Sequence, residues 1–228
     1  MKLLLVDDHP IVRSGLRSLL LAAEPQLEIT EADNAQEAVS AFRDLRPGLV
    51  ILDLHLPGIS GLEVLSRFRI ENAKARILVF SMYDNPIYVA RILQAGAHGY
   101  VSKSAPPDQI LEAVRRVAVG RTYIEHETAQ QLALWNIRAA SLPLTQLSSR
   151  DIEILRLLVG GSSLAEIAQV VGISYKTVAN HCTQLKAKLD APRLADLIRI
   201  AISCGLGRSD AALAGLFPAD RDQHRLDK

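Results

Sequence analysis

Short apolar runs recur along the first half of the chain, and amphipathic stretches separate them. Continuous apolar runs are typical of parallel strands that are buried on both faces, and the stretches between them have the period of surface helices. The pattern predicts strands near residues 2–6, 27–32, 49–53, 77–81 and 99–102. It predicts helices near residues 11–22, 35–45, 61–69, 87–95 and 108–119.

Strands that alternate with helices in this order favour an α/β fold. Right-handed crossovers would place helices on both faces of a flavodoxin-like, doubly wound, five-stranded parallel sheet over residues 1–120. Residues 121–146 are predicted to form a linker that is partly helical, and residues 206–228 a disordered tail.

Residues 147–205 have the pattern of a small all-α domain with four short helices. The first begins with a capping-box-like segment at 148–151 and ends at the glycine pair 160–161. A second apolar stripe is followed by the turn 172–174 and then by a helix over 175–188. That helix is predicted to bury Val178, Cys182, Leu185 and Leu189. Two short helices joined by a glycine-containing turn, with a fourth helix near 193–204, predict a helix-turn-helix domain.

Composition excludes several classes of protein. No apolar run approaches the roughly 18 residues that a membrane-spanning helix needs. Asp7 and Asp8 interrupt the apolar start of the chain, so it lacks the features of a signal peptide, and two cysteines are too few for a disulfide framework. We therefore expect a cytoplasmic protein without a membrane partner. The net charge of +1 does not by itself indicate nucleic-acid binding, so the positions of the charges must decide.

Polar residues stand where the predicted strands end. Asp7 and Asp8 follow the first run, Asp53 follows the third strand, Ser81 ends the fourth, and Lys103 follows the fifth. Because ligands of such sheets bind outside the carboxyl ends of the strands, these groups should share one pocket. Clustered carboxylates need a cation, and hard oxygen ligands favour Mg²⁺. A lysine and a hydroxyl beside them suit an incoming phosphoryl group, so phosphoryl transfer onto a carboxylate is predicted.

These motifs resemble those of a known family. The residues Asp7-Asp8, Asp53 with Leu56-Pro57-Gly58 and Gly61, Ser81 and the segment 99–103 resemble a response-regulator receiver domain. Residues from Leu147 onward are similar to the helix-turn-helix output domain of NarL/FixJ (LuxR-type) regulators, and the two resemblances cover nearly all of 1–205. The resemblance implies a two-component response regulator, not an enzyme, in which a sensor histidine kinase phosphorylates Asp53 to control dimerisation and sequence-specific binding of operator DNA.

The resemblance also implies roles for individual residues. Asp53 would be the phosphoacceptor, and Asp8 would bind Mg²⁺ together with Asp53 and the backbone carbonyl of His55. Asp7 would act on the metal through water. Lys103 and Ser81 would contact phosphoryl oxygens, and Tyr100 would be the switch aromatic that turns inward with Ser81. His9 and His55 flank the pocket without a strong transition-metal spacing.

The predicted helix 175–188 carries the DNA-binding hypothesis. The 100° step per residue places Lys176, Asn180, Thr183 and Ala187 opposite the buried face, with Lys186 and Lys188 at its flanks. A major groove admits such a helix, asparagine can pair with adenine, and flanking lysines suit phosphates. The resemblance implies base contacts from Ala179, Asn180 and Thr183. It implies backbone contacts from Lys176, Thr177, His181 and Lys186. A homodimer on two half-sites is expected, with RNA polymerase as a candidate partner.

Two alternatives stay open. A Mg²⁺-dependent phosphatase that passes through an aspartyl-phosphate would also use clustered carboxylates. Phosphatases of the haloacid-dehalogenase type place the nucleophile after the first strand in an Asp-x-Asp pattern, however, whereas Asp7 and Asp8 are adjacent. The other alternative is a phosphorelay protein that does not bind DNA.

Overall fold

The computed structural model describes residues 1–56, 59, 61–82, 85–139, 147–204 and 206. Its strands are β1 (Lys2–Val6), β2 (Glu28–Ala32), β3 (Leu49–Leu52), β4 (Ile77–Ser81), β5 (Gly99–Ser102) and β6 (Tyr123–Ile124). The helices of the first domain and linker are α1 (Pro10–Ala23), α2 (Ala35–Leu45), α3 (Gly61–Glu71), α4 (Pro86–Gln94), α5 (Pro107–Ala118) and α6 (His126–Ala139). Those of the second domain are α7 (Ser149–Val159), α8 (Leu164–Val171), α9 (Tyr175–Lys188) and α10 (Leu194–Ser203).

The six strands form one parallel sheet in the order β2-β1-β3-β4-β5-β6. Successive side chains of a strand face opposite sides, so Leu3 and Leu5 enter one core and Leu4 and Val6 enter the other. Helices cover both cores, which confirms the predicted doubly wound fold. The order reverses between β1 and β3, and such a reversal opens a crevice at the carboxyl ends of the strands.

The predicted count of five strands was one too low. Tyr123 pairs with Gly99 and Ile124 with Tyr100, so the start of the predicted linker adds a short sixth strand at the edge of the sheet. The helical part that was predicted for this linker is present as α6, which packs against α4. Part of the expected linker thus belongs to the sheet and its helical layer.

The second domain has the four predicted helices. The Ser148 hydroxyl accepts from Asp151 N–H while the Asp151 carboxylate accepts from Ser148 N–H, which completes the capping box of α7. Gly172, with a φ of 69°, ends α8 in the left-handed conformation, and Ser174 caps α9. The four residues predicted to face inward from α9 are all buried: Val178, Cys182, Leu185 and Leu189.

Contacts at the ends of the second domain complete the fold. Arg91 of α4 donates from Nη2 to the carbonyl of Leu147, just before α7, over 2.7 Å. Of the predicted tail, Leu206 alone lies within the described residues, where it is buried and donates its N–H to Ala201. No helix in the described part of the chain combines the length and the apolar composition needed to cross a membrane.

Candidate phosphorylation site and DNA-binding helix

Three carboxylates meet at the carboxyl ends of β1 and β3. Asp7 and Asp8 follow the last residue of β1, and Asp53 follows the last residue of β3, which is the neighbouring strand. Asp7 and Asp53 are 1% and 2% exposed, while the side chain of Asp8 is about a quarter exposed. The fold therefore brings together the three carboxylates that were predicted to share one site.

Lys103 links two of these carboxylates. Its Nζ lies 2.7 Å from Asp7 Oδ2 and 2.7 Å from Asp53 Oδ2, and the second contact has hydrogen-bond geometry. Burial opposes the charged ammonium, but the attraction of Asp53 and Asp7 outweighs it and raises the pKa of Lys103. Burial and the Asp7 charge raise the pKa of Asp53 against the attraction of Lys103. The ammonium partly offsets a buried pair of like charges.

Ser81 and Tyr100 lie on the neighbouring strands. The Ser81 hydroxyl is fully buried, and its Oγ has no hydrogen-bond partner among the described residues. A buried hydroxyl without a partner is costly, so a ligand oxygen would find a free donor there. The Tyr100 ring is fully buried, and its hydroxyl donates to the carbonyl of Ser81 over 3.3 Å. The aromatic ring thus occupies the inward position beside Ser81.

His9 is a member of the acidic cluster that the sequence reasoning placed only at its edge. Its Nδ1 lies 2.7 Å from Asp8 Oδ1, and its backbone N–H donates to Asp7 over 2.8 Å. Potential ligand atoms of Asp7, Asp8, His9 and Asp53 all lie within 4.8 Å of one another. The sequence signal for this position of His9 is that it directly follows Asp8.

The cluster fits a divalent cation. The buried oxygens Asp7 Oδ2 and Asp8 Oδ1 lie 2.7 Å from Lys103 Nζ and 2.7 Å from His9 Nδ1, without the angles of a hydrogen bond. The backbone N–H of His55 bonds the Asp53 carboxylate and opposes the rise in its pKa. Oxygen-rich clusters of this kind suit Mg²⁺ better than a transition metal. The motif residues Pro57 and Gly58 lie outside the described residues.

The predicted DNA-facing residues of α9 differ in exposure. Those with exposed side chains are Lys176, Thr177, Asn180, Thr183 and Lys188, and those half-buried are Ala179, His181 and Lys186. The face opposite the buried stripe is therefore open to solvent along the length of α9. It has the shape and polarity that a major groove accepts.

Two of these residues are also held inside the domain. Asp151, which is 2% exposed, accepts from His181 Nδ1 over 3.1 Å and from Lys188 Nζ over 2.9 Å. Burial opposes ionisation of Asp151, but bonds from Lys188, Ser148 and His181 prevail and lower its pKa. The carboxylate ties the start of α7 to α9 and so fixes the orientation of α9 within the domain. Sequence reasoning found the capping role of Asp151 and missed this contact, because it joins residues distant in the chain.

Comparison with known proteins identifies both domains. The response regulator receiver domain matches residues 3–115, and the luxR family of bacterial regulatory proteins matches residues 145–201. Transcriptional activator protein ExaE of Pseudomonas putida is 43% identical over 211 residues, which cover 91% of this chain and 99% of that protein. The chain belongs to the LuxR-type response regulators.

Other relatives of this response regulator match along most of its length. Response regulator UvrY of Escherichia coli (strain K12) is 34% identical over 206 residues, 89% of this chain and 94% of that protein. A two-component response regulator of the LuxR family from Aurantimonas sp. SI85-9A1 is 36% identical, covers 60% of this chain and 97% of that one, and has a TM-score of 0.56.

A further solved structure supports the fold. RcsB from Salmonella enterica serovar Typhimurium, bound to a promoter in the presence of the phosphomimetic BeF3⁻, has a TM-score of 0.64 at 24% identity. The match covers 89% of this response regulator and 98% of that chain. At this identity, the likeness shows the shared architecture alone.

Proposed function

We propose that a sensor histidine kinase phosphorylates Asp53 of this response regulator, and that phosphorylation controls dimerisation and binding to operator DNA. The observation that carries the proposal is the position of Lys103 between Asp7 and Asp53. The Lys103 N–H donates to the carbonyl of Ser81 over 3.0 Å, and the Ser81 hydroxyl has no partner among the described residues. A phosphoryl group on Asp53 would find an ammonium and a hydroxyl already placed for its oxygens.

The chemistry is a transfer between nitrogen and oxygen. A carboxylate oxygen of Asp53 attacks phosphorus as the P–N bond of a phosphohistidine breaks, and the electron pair of that bond returns to the imidazole nitrogen. Lys103 then pairs with the phosphoryl oxygens, and Ser81 donates a hydrogen bond to one of them. Asp8, Asp53, the carbonyl of His55 and Asp7 through water would hold Mg²⁺, which supplies positive charge against the carboxylates and the phosphoryl group.

Binding to operator DNA would be the output of phosphorylation, and α9 would be the helix that contacts the DNA. Its exposed residues Asn180 and Thr183 would contact bases, and Lys176 would contact phosphate. The relative ExaE supports this, since it is a transcriptional activator. One helix reads few base pairs, so a homodimer on two half-sites is the expected complex. We also propose a cytoplasmic location, where the chromosome lies, and RNA polymerase as a partner.

Mass spectrometry of the full chain tests the phosphorylation step. With acetyl phosphate and Mg²⁺, the wild type should gain one phosphoryl group, and Asp53→Asn should gain none. The control is Asp44→Asn, an exposed aspartate of α2, which should be labelled like the wild type. Equal labelling of Asp53→Asn would overturn the assignment. We propose no turnover of small phosphate esters, so multiple turnover in a colourimetric assay would favour the phosphatase alternative.

A further inference from the structure

A hydrogen bond joins the start of α6 to the strand that leads into Lys103. The backbone N–H of Ser102 donates to Glu125 Oε1 over 2.5 Å. Ser102 immediately precedes Lys103, whose ammonium contacts Asp7 and Asp53. The Glu125 carboxylate is therefore one residue away from the group that would bind the phosphoryl oxygens.

Glu125 is equally tied to α6. Its own carbonyl accepts from Ala129 N–H over 2.8 Å in the first turn of that helix. The preceding residue, Ile124, pairs with Tyr100 of β5, which is the strand that carries the inward-facing ring. Helix α6 packs against α4 and precedes the second domain in the chain. Glu125 therefore lies between the phosphorylation site and the helix that leads to the second domain.

We propose that Glu125 is a positioning residue whose bond to Ser102 couples Lys103, the next residue in the chain, to α6. The inference rests on the proposed function, because it needs Asp53 to be phosphorylated. A phosphoryl group on Asp53 would draw Lys103 away from the carboxylates that it now shares, and the backbone at Ser102 would move with it. A charge-assisted bond is among the stronger ones in a protein, so Glu125 would carry that movement into α6.

The chain contains its own reporter of α6. Trp135 is its single tryptophan and lies within α6, so the emission of the full-length protein reports on this helix. The emission is measured before and after treatment with acetyl phosphate and Mg²⁺, and intact mass gives the number of phosphoryl groups. The variants are Glu125→Ala, which loses the acceptor, and Glu125→Gln, whose amide oxygen can still accept from Ser102. The matched control is Glu127→Ala, an exposed glutamate of the same turn with no partner among the described residues.

The wild type and Glu127→Ala should show the same emission change per phosphoryl group. Glu125→Ala should be phosphorylated to a similar extent but lose most of this emission change. Glu125→Gln should lie between them. A full emission change in phosphorylated Glu125→Ala would overturn the inference, even if its unfolding midpoint falls. So would a phosphorylated wild type without any emission change. Absence of a mass gain in the wild type would instead refute the proposed function, and the inference with it.

Discussion

Asp151→Ala should destabilise α9 far more than loss of an exposed helix cap would. The substitution removes a bond to Ser148 N–H, worth about 1 kcal/mol in a helix cap. It also breaks the contacts of a buried carboxylate with His181 and Lys188. Breaking a buried ion pair costs about 3–5 kcal/mol when the partner left behind is buried. The Lys188 side chain is 44% exposed and can regain water, which reduces that part to about 1–2 kcal/mol. The expected total is about 2–3 kcal/mol.

Native-state hydrogen exchange of the full-length protein measures this loss where it occurs. A cost of about 2–3 kcal/mol should speed exchange of the protected amides of α9 by about 30- to 140-fold at neutral pH. The control is Glu166→Ala, which removes the reciprocal member of the exposed capping box of α8 and should cause a clearly smaller change. Because the bonds lower the pKa of Asp151, its contribution is present above the ordinary aspartate pKa and is lost as the pH falls through the folded value. Equal acceleration in the two variants would refute the reasoning.

Three further predictions concern other parts of the molecule. Asn180→Ala should relax base preference at one operator position by about 1–3 kcal/mol. Lys186→Ala should weaken binding to all duplexes alike and lower the salt slope by about one unit, and binding measured over a salt series separates the two effects. Gly61→Ala should cost about 2–3 kcal/mol in urea unfolding, because the new Cβ would lie 2.3 Å from backbone, while Gly15→Ala, with nothing within 4 Å, should not destabilise; equal effects would contradict this. Burial, Arg69 and Arg76 lower the pKa of His98, so the free energy of unfolding should fall as the pH drops below about 6.5. Between pH 7 and pH 5, the free energy of unfolding of His98→Gln should fall less than that of the wild type.

The sheet and the pocket could be predicted from the sequence because burial on both faces leaves a simple signal. All four residues of β3 are buried and apolar, and Asp53 comes directly after them. Strand ends of a parallel sheet meet at one edge, so the polar residues that follow them could be brought together without knowing the fold in detail. Helix α9 could also be predicted, because Gly172 and Ser174 mark the turn before it.

Contacts between distant segments could not be predicted in this way. Strand β6 has two residues, which are too few to show an alternating pattern of apolar and polar side chains. It forms by pairing with the free edge of β5, which the sequence does not reveal. The bonds of Glu125 to Ser102 and of Asp151 to Lys188 join residues far apart in the chain. A helical wheel placed Lys188 at the DNA-facing flank, and its intramolecular partner is visible only once α7 and α9 are packed.

The affinity for DNA with and without phosphorylation tests the central claim most directly. A duplex selected from a random pool by the phosphorylated wild type is titrated with full-length protein, with and without acetyl phosphate and Mg²⁺, beside a scrambled duplex. We expect phosphorylation to lower the Kd of the wild type for the selected duplex by about tenfold or more, within the usual range of coupling between sites. Asp53→Asn should show no change. An unchanged Kd for the fully phosphorylated wild type, or the same gain in Asp53→Asn, would contradict the account.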